Sequence, residues 1–182
     1  GFDPERYRVG PDAPPRESAR LLFLGSMDYG PNVEAVQRFV RESLPAIRAA
    51  RPETVLEIVG ASPTAEVRAL AGPGVIVTGR VDAVQPYLAR ASALVVPLAI
   101  GGGTRLKIVE ALALSTPVVS TTIGAQGRGL VDGTHLALAD GAAEFARATL
   151  ALLADPLHAA ELAERGRAWV HEHYRWDVLG HE

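Results

Sequence analysis

The 182-residue chain has no cysteine, one methionine and few aromatic residues, 5% of the total. Without thiols there are no disulfides, no thiolate nucleophile and no cysteine metal site, and the composition fits a reducing, cytoplasmic setting. No apolar run approaches the about 20 residues that a membrane helix requires, and no signal-peptide pattern opens the chain. Positive charge is not in excess: 18 Lys and Arg against 21 Asp and Glu leave −3, which gives no support to nucleic-acid binding through bulk charge. The Gly-x-Gly-x-x-Gly dinucleotide fingerprint and the Gly-Lys-Ser/Thr of Walker loops are both missing, which argues against a hydride-transfer enzyme or a P-loop nucleotidase. There is no internal repeat and no low-complexity tract. What is plentiful is Ala, Val and Leu, within a hydrophobic share of 48%, enough for the core of one domain.

Residues 1–18 are proline-rich, with few periodic apolar positions, and read as an extended connector. The opening Gly1-Phe2-Asp3-Pro4, without an initiator methionine, sets the expectation of a piece cut from a longer chain. Residues 20–25, 54–60, 75–79, 93–98 and 117–121 are short, almost continuously apolar runs, and residues 135–139 form a sixth. Strands apolar on both faces belong to a parallel sheet covered on both sides. Helical spacing separates them. Val33, Val36, Val40, Leu44 and Ile47 share a face after Asn32, with Pro45 expected to kink or restart the helix; residues 63–70 and 81–91 form shorter helices. Two helices close the chain, residues 141–153 behind the cap candidate Asp140 and residues 156–172 behind Asp155-Pro156. The alternation predicts an α/β domain over residues 19–182, a Rossmann-like, doubly wound parallel six-stranded sheet. In such a sheet ligands bind beyond the carboxyl ends of the strands, where the strand order switches. Four glycine-containing loops reach that rim: residues 25–31, 60–63, 79–81 and 101–104.

The last of these loops leads into the most informative stretch, residues 101–117. Thr104 is the natural N-cap of a helix in which Leu106, Val109, Ala113 and Leu114 recur at helical spacing and predict a buried face. Arg105 and Lys107 sit in its first turn, where cations oppose the helix dipole at about 0.3–1 kcal/mol each. An anion docked at this end, approached by the backbone N–H groups of Gly102 and Gly103, accounts for them. Glu110 lies six residues past the cap, about 9 Å along the axis, within range of a ribose or sugar hydroxyl of a diphosphate held at the helix start. The competing reading, solvated cations with Lys107 and Glu110 as an ordinary i,i+3 pair, stays open on this stretch alone. The five histidines lack metal-ligand spacing, and Asp28, Asp82, Asp132 and Asp140 suit turns and caps. Trp169 and Trp176, seven apart, suit a packing stripe.

With these residues in view, the chain resembles the C-terminal domain of family-4-type retaining glycosyltransferases, the glycosyl transferases of group 1. Gly1-Phe2-Asp3-Pro4-Glu5-Arg6-Tyr7 resembles the family's interdomain Asn-Gly-Val-Asp-x-x-x-Phe. Leu22-Phe23-Leu24-Gly25, Leu56-Glu57-Ile58-Val59-Gly60 and Val75-Ile76-Val77-Thr78-Gly79-Arg80-Val81 resemble its first three donor-domain strands. Glu110-Ala111-Leu112-Ala113 with Thr116-Pro117-Val118-Val119-Ser120-Thr121 resembles its Glu-Ala-Met-Ala-x-Gly-x-Pro-Val-Val-Ala-Thr. Tyr174-Arg175-Trp176 resembles the Phe-Ser-Trp before a crossover to the first domain, here residues 170–182.

The resemblance implies one half of a GT-B architecture and retention of anomeric configuration. It implies a nucleotide-diphosphate sugar as donor substrate, with no cofactor and no obligatory metal. The donor-binding residues it implies are Gly25, Ser26, Gly79, Arg80, Gly102, Gly103, Thr104, Arg105, Leu106, Lys107 and Glu110, with Glu110 on the ribose. Gly102 stands where the family has the first glutamate of Glu-x7-Glu. The Arg and Lys that usually follow the first strand are replaced by Ser26 and by Gly30-Pro31-Asn32, so Arg105 and Lys107 are expected to supply the diphosphate clamp. The acceptor site and the catalytic histidine are implied to lie on an N-terminal domain outside this sequence, leaving no catalytic residue here and this piece inactive alone. The implied role is bacterial polysaccharide or glycolipid biosynthesis, with no nucleic-acid partner, no transmembrane segment, and peripheral membrane association open to the full-length enzyme. Two other readings compete. A domain of the same fold that has lost donor binding is favoured by the missing glutamate and cations; a nucleotide-sugar epimerase is disfavoured by the scarcity of rim carboxylates and the lack of a rim histidine.

Overall fold

Strands this apolar must be covered on both faces, and the computed structural model, which describes residues 15–101 and 106–174 together with Tyr7, Gly10 and Ala13, shows how. Strands β1 (Arg20–Leu24), β2 (Val55–Val59), β3 (Val75–Gly79), β4 (Ala93–Val96), β5 (Val118–Ser120) and β6 (Ala137–Leu138) form one sheet in the order β3-β2-β1-β4-β5-β6. Every pairing is parallel. These are the six predicted strands, shortened at their ends except for β3. The sheet runs outward from β1 to β3 on one side and from β4 to β6 on the other, so right-handed crossovers send the two sets of helices to opposite faces.

On one face lie α1 (Gly30–Arg38), a π-helical turn (Phe39–Ser43), α2 (Leu44–Ala50), α3 (Ala65–Arg68) and α7 (Ala142–Ala154), with α7 packed on the π-turn and α2. Phe39 meets Phe145 edge to face there, ring centres 5.8 Å apart. The other face carries α4 (Gln85–Arg90), α5 (Leu106–Ala113) and α8 (Pro156–His173), with α5 against α8. No described helix is long and apolar enough to cross a membrane.

Several boundaries differ from the sequence expectation, each for a local reason. The first helix begins at Gly30, with Pro31 in its first turn where a missing N–H costs nothing. Pro45 restarts the helix as expected, and the strain is taken up ahead of it as the π-turn. The predicted helix over residues 81–91 is helical only from Gln85, behind Pro86. Asp140 does not cap α7, whose N-cap is Gly141. Its carboxylate instead accepts from the backbone N–H (2.8 Å) and hydroxyl (2.7 Å) of Thr122, at the start of the unpredicted short helix α6 (Thr122–Ala125).

Residues 16 and 17 are not free connector: the Arg16 guanidinium donates to the carbonyls of Leu88, Ala91 and Ser115, and the Glu17 N–H to that of Arg90. Glu57, 3% exposed in the middle of β2, is answered by Arg90 at 2.5 Å and Arg20 at 3.2 Å. A buried carboxylate is tolerable only when so paired. The C-terminus of α5 closes with Ser115 at φ 55°. The Ser115 N–H bonds to Leu112 and that of Thr116 to Ala111, the pattern of a Schellman cap in which glycine usually takes the left-handed position.

Two stability changes follow. Glu57→Ala leaves two guanidinium groups facing an uncharged strand and lowers unfolding free energy by about 3 kcal/mol. Ser115→Gly relieves a left-handed serine and raises it by about 0.5–1 kcal/mol. Urea unfolding monitored by circular dichroism measures both; an unchanged midpoint for Glu57→Ala, or a loss for Ser115→Gly, contradicts these assignments.

Candidate functional site

Because β1 and β4 are neighbours whose connections leave in opposite directions, their carboxyl ends flank a crevice at the switch in strand order. The loop after β1 begins with Gly25 and the exposed Ser26, whose hydroxyl donates to Asp28 Oδ1 at 2.6 Å. The chain leaving β4 returns as α5.

Lys107, in the first turn of α5, reaches across this crevice. Its Nζ donates to Asn32 Oδ1 at 3.1 Å and stands 5.4 Å from the centre of the Phe23 ring on β1. Asn32 is buried at the start of α1, and its Nδ2 donates to the Ser26 carbonyl at 3.0 Å. A hydrogen-bonded line thus runs from α5 to the loop after β1. The ammonium has one neutral acceptor and, among the described residues, no ion pair. Burial pushes its pKa down to about 8, with the charge of Glu110 opposing part of that shift. Glu110, one turn further along α5, is half-buried, and its Oε1 accepts a hydrogen bond from the Tyr7 hydroxyl. The crevice therefore holds a cation short of counter-charge beside a carboxylate held by a phenol.

The rim glycines have more varied reasons than ligand approach. A Cβ at Gly60 would lie 1.6 Å from the Gly25 carbonyl oxygen, so glycine there lets the chain leaving β2 pass the loop after β1. Gly79 has φ +72° with open space around it and serves the turn. The structure brings Gly25, Ser26, Lys107 and Glu110 to the crevice. Gly79 and the exposed Arg80 end the edge strand β3, two strands from β1, in a shallow basin with Pro63 and Arg68. Gly102, Gly103, Thr104 and Arg105 lie outside the described residues. Leu106 is the exception to the expected buried face: it is 38% exposed. Val109, Ala113 and Leu114 are buried as expected, and Ile108, Ala111 and Leu112 join them.

Sequence reasoning missed the contacts of two residues. Asn32 stood out only as part of the segment that replaces the usual cation, and Tyr7 only as part of the interdomain motif; nothing paired them with Lys107 and Glu110. A recess of about 360 Å³ also opens beside the crevice, walled by Phe39, Leu98 and Phe145 and including Arg38, Thr122 and Asp140. Its polar groups answer one another: Arg38 donates to the Pro97 carbonyl at 2.6 Å, and Asp140 holds Thr122. Its lining comes from separate segments, so no local pattern announces it. Among the described residues no set of His, Asp and Glu side chains converges to hold a metal ion.

The sequence profile of the glycosyl transferases, group 1, matches residues 18–155. The phosphatidyl-myo-inositol mannosyltransferase of Mycolicibacterium smegmatis is 33% identical over 188 residues, 98% of this chain and 48% of that protein. The GDP-mannose-dependent alpha-(1-6)-phosphatidylinositol monomannoside mannosyltransferase of the same organism is 28% identical, over 99% of this chain and 52% of that protein. The chain thus spans about half the length of these relatives. HepE of Anabaena, solved in complex with UDP and glucose, superposes with a TM-score of 0.78 at 17% identity, over 98% of this chain and 52% of that one; the likeness is one of fold. The profile match over most of the chain and a relative one-third identical across nearly all of it show that this chain belongs to the group 1 glycosyltransferase family.

Proposed function

We propose that this chain is the donor-binding half of a retaining glycosyltransferase, holding a nucleoside diphosphate sugar at the β1/β4 crevice. Lys107 faces the diphosphate, Glu110 the ribose, and Gly25 and Ser26 the phosphates from the opposite wall. Gly102, Gly103, Thr104 and Arg105 complete the anion site at the start of α5, while Leu106 covers the ligand from its exposed position. The observation that carries this reading is Lys107: a largely buried ammonium, one neutral acceptor, and a pKa driven down to about 8. Folding alone gains nothing from such an arrangement, whereas a diphosphate supplies the missing charge and the glycosyl leaving group is itself an anion to be stabilised. The relatives' names support the ligand class: two are mannosyltransferases of phosphatidylinositol glycolipids, one of them named for GDP-mannose, and HepE holds UDP. GDP-mannose with a lipid-borne acceptor is therefore the first combination to test. The acceptor site belongs to a further domain of the full-length protein.

The test is a thermal-shift and calorimetric titration of the chain with GDP, UDP, GDP-mannose and UDP-glucose, since a ligand of the folded state must raise the midpoint by mass action. Glu110→Gln weakens nucleotide binding by about 1.5–3 kcal/mol with little loss of stability. Lys107→Met weakens binding of the diphosphate far more than of the bare nucleoside. It also slightly raises the stability of the empty protein, because relief of the buried charge exceeds the loss of one bond to Asn32. Equal losses for both ligands, or a clear drop in empty-state stability, make Lys107 structural.

The pKa carries a sign that can be measured. Lys107 releases its proton at about pH 8 in the folded chain and near its ordinary 10.5 when unfolded. Between these values the unfolded state binds the extra proton, so this group makes stability rise with pH across the window. Below pH 8 its cost is fully present, on the order of 3 kcal/mol. Denaturant unfolding at pH 7.5 and 9.5 shows that rise for the unaltered chain and not for Lys107→Met. Bound diphosphate holds the proton on, so nucleotide affinity falls as pH climbs above 8.

A further inference from the structure

We infer that Tyr7 is a positioning residue of this site: its hydroxyl holds the Glu110 carboxylate in place for the ribose and thereby sets how strongly the domain distinguishes ribose from deoxyribose. The inference rests on the assignment of Glu110 to the ribose.

The contact joins residues 103 apart in sequence, with the Tyr7 O–H donating to Glu110 Oε1. The Tyr7 ring is half-buried and packs against the hydrophobic core. Phenylalanine, the residue in the family's interdomain pattern, would bury the same ring. Packing therefore needs the ring and not the hydroxyl; the hydroxyl's partner is the carboxylate. A glutamate side chain has three rotatable bonds, so a head group that nothing holds samples many rotamers. Among the described residues no group other than Tyr7 donates to it. A carboxylate can accept about four hydrogen bonds. With one taken at Oε1, Oε2 and the remaining lone pair are fixed in direction and open to a pair of ribose hydroxyls. The ordering of the side chain is then complete before the ligand arrives, which is how preorganisation raises affinity. Lys107 on the same helix adds a cation whose field reaches Glu110 but which bonds to Asn32 instead, so among the described residues the phenol is the donor that orients the carboxylate. A site built to pair a hydroxyl rejects the analogue that lacks it, and that rejection weakens when the pairing group is free to turn away.

Calorimetric titrations of the chain, Tyr7→Phe and Glu110→Gln with GDP, UDP and their 2′-deoxy and 3′-deoxy forms test this. Tyr7→Phe is expected to weaken binding of the ribonucleotide about fivefold to tenfold, to leave the deoxy forms almost unchanged, and to keep the thermal midpoint, so that the ribose-to-deoxyribose ratio collapses. An unchanged ratio, or an equal loss for ribo and deoxy ligands, makes Tyr7 a packing residue and overturns the inference. Glu110→Gln separates the two failures. If it collapses the ratio while Tyr7→Phe does not, the ribose assignment stands and the role of Tyr7 falls. If Glu110→Gln also leaves the ratio unchanged, or if the unaltered chain binds neither diphosphate at millimolar concentration, both fall together.

Discussion

The pairing of β1 with β4, Leu21 opposite Ala93 and Leu22 opposite Leu94, is the constraint on which everything at the rim depends. These strands are far apart in sequence and adjacent in space, and the chain departs from them in opposite directions. Right-handed crossovers then leave no choice: the helix after β1 and the helix after β4 go to opposite faces, and their first turns stand on either side of one crevice. The crevice is a consequence of topology before any side chain is chosen. Which chemistry it performs is decided by the few residues whose side chains cross it.

Two buried charges are met by the domain in different ways. Glu57 is surrounded by Arg20 and Arg90; its charge is answered within the domain, and it lies in β2, within the body of the sheet. Lys107 is also largely buried, but its neighbours are an amide oxygen, an aromatic ring and a carboxylate acting only through space. Perturbed proton affinities cluster at functional sites, and this one lies at the switch in strand order. The Asn32 bridge ties the ammonium to the opposite wall of the crevice, so the domain itself carries the cost of burying it.

At this rim the chain also departs from its family's pattern. Ser26 and Asn32 stand in the loop region where cations usually follow the first strand. Asn32 instead caps the reach of a cation delivered from the other wall, with its Nδ2 spent on the Ser26 carbonyl. The cation at this crevice comes from α5 and is bonded to a neutral residue of the opposite wall.

The sequence by itself determined the six strands, the alternation with helices and the all-parallel sheet. All of these rest on local periodicity and on glycine and proline at element ends, which are properties of neighbouring residues. Only the tertiary structure decided that Lys107 reaches Asn32 and the Phe23 ring of β1 rather than solvent, that Leu106 is exposed, that Asp140 serves α6 and not α7, that Gly79 and Arg80 end a distant strand, and that Tyr7 meets Glu110. Each of these is a contact between segments tens of residues apart, or depends on what lies beneath a helix turn. A one-dimensional pattern records the spacing within an element; it does not record which element is set opposite. Here that opposition is set by strand order, and strand order is settled by the whole core at once.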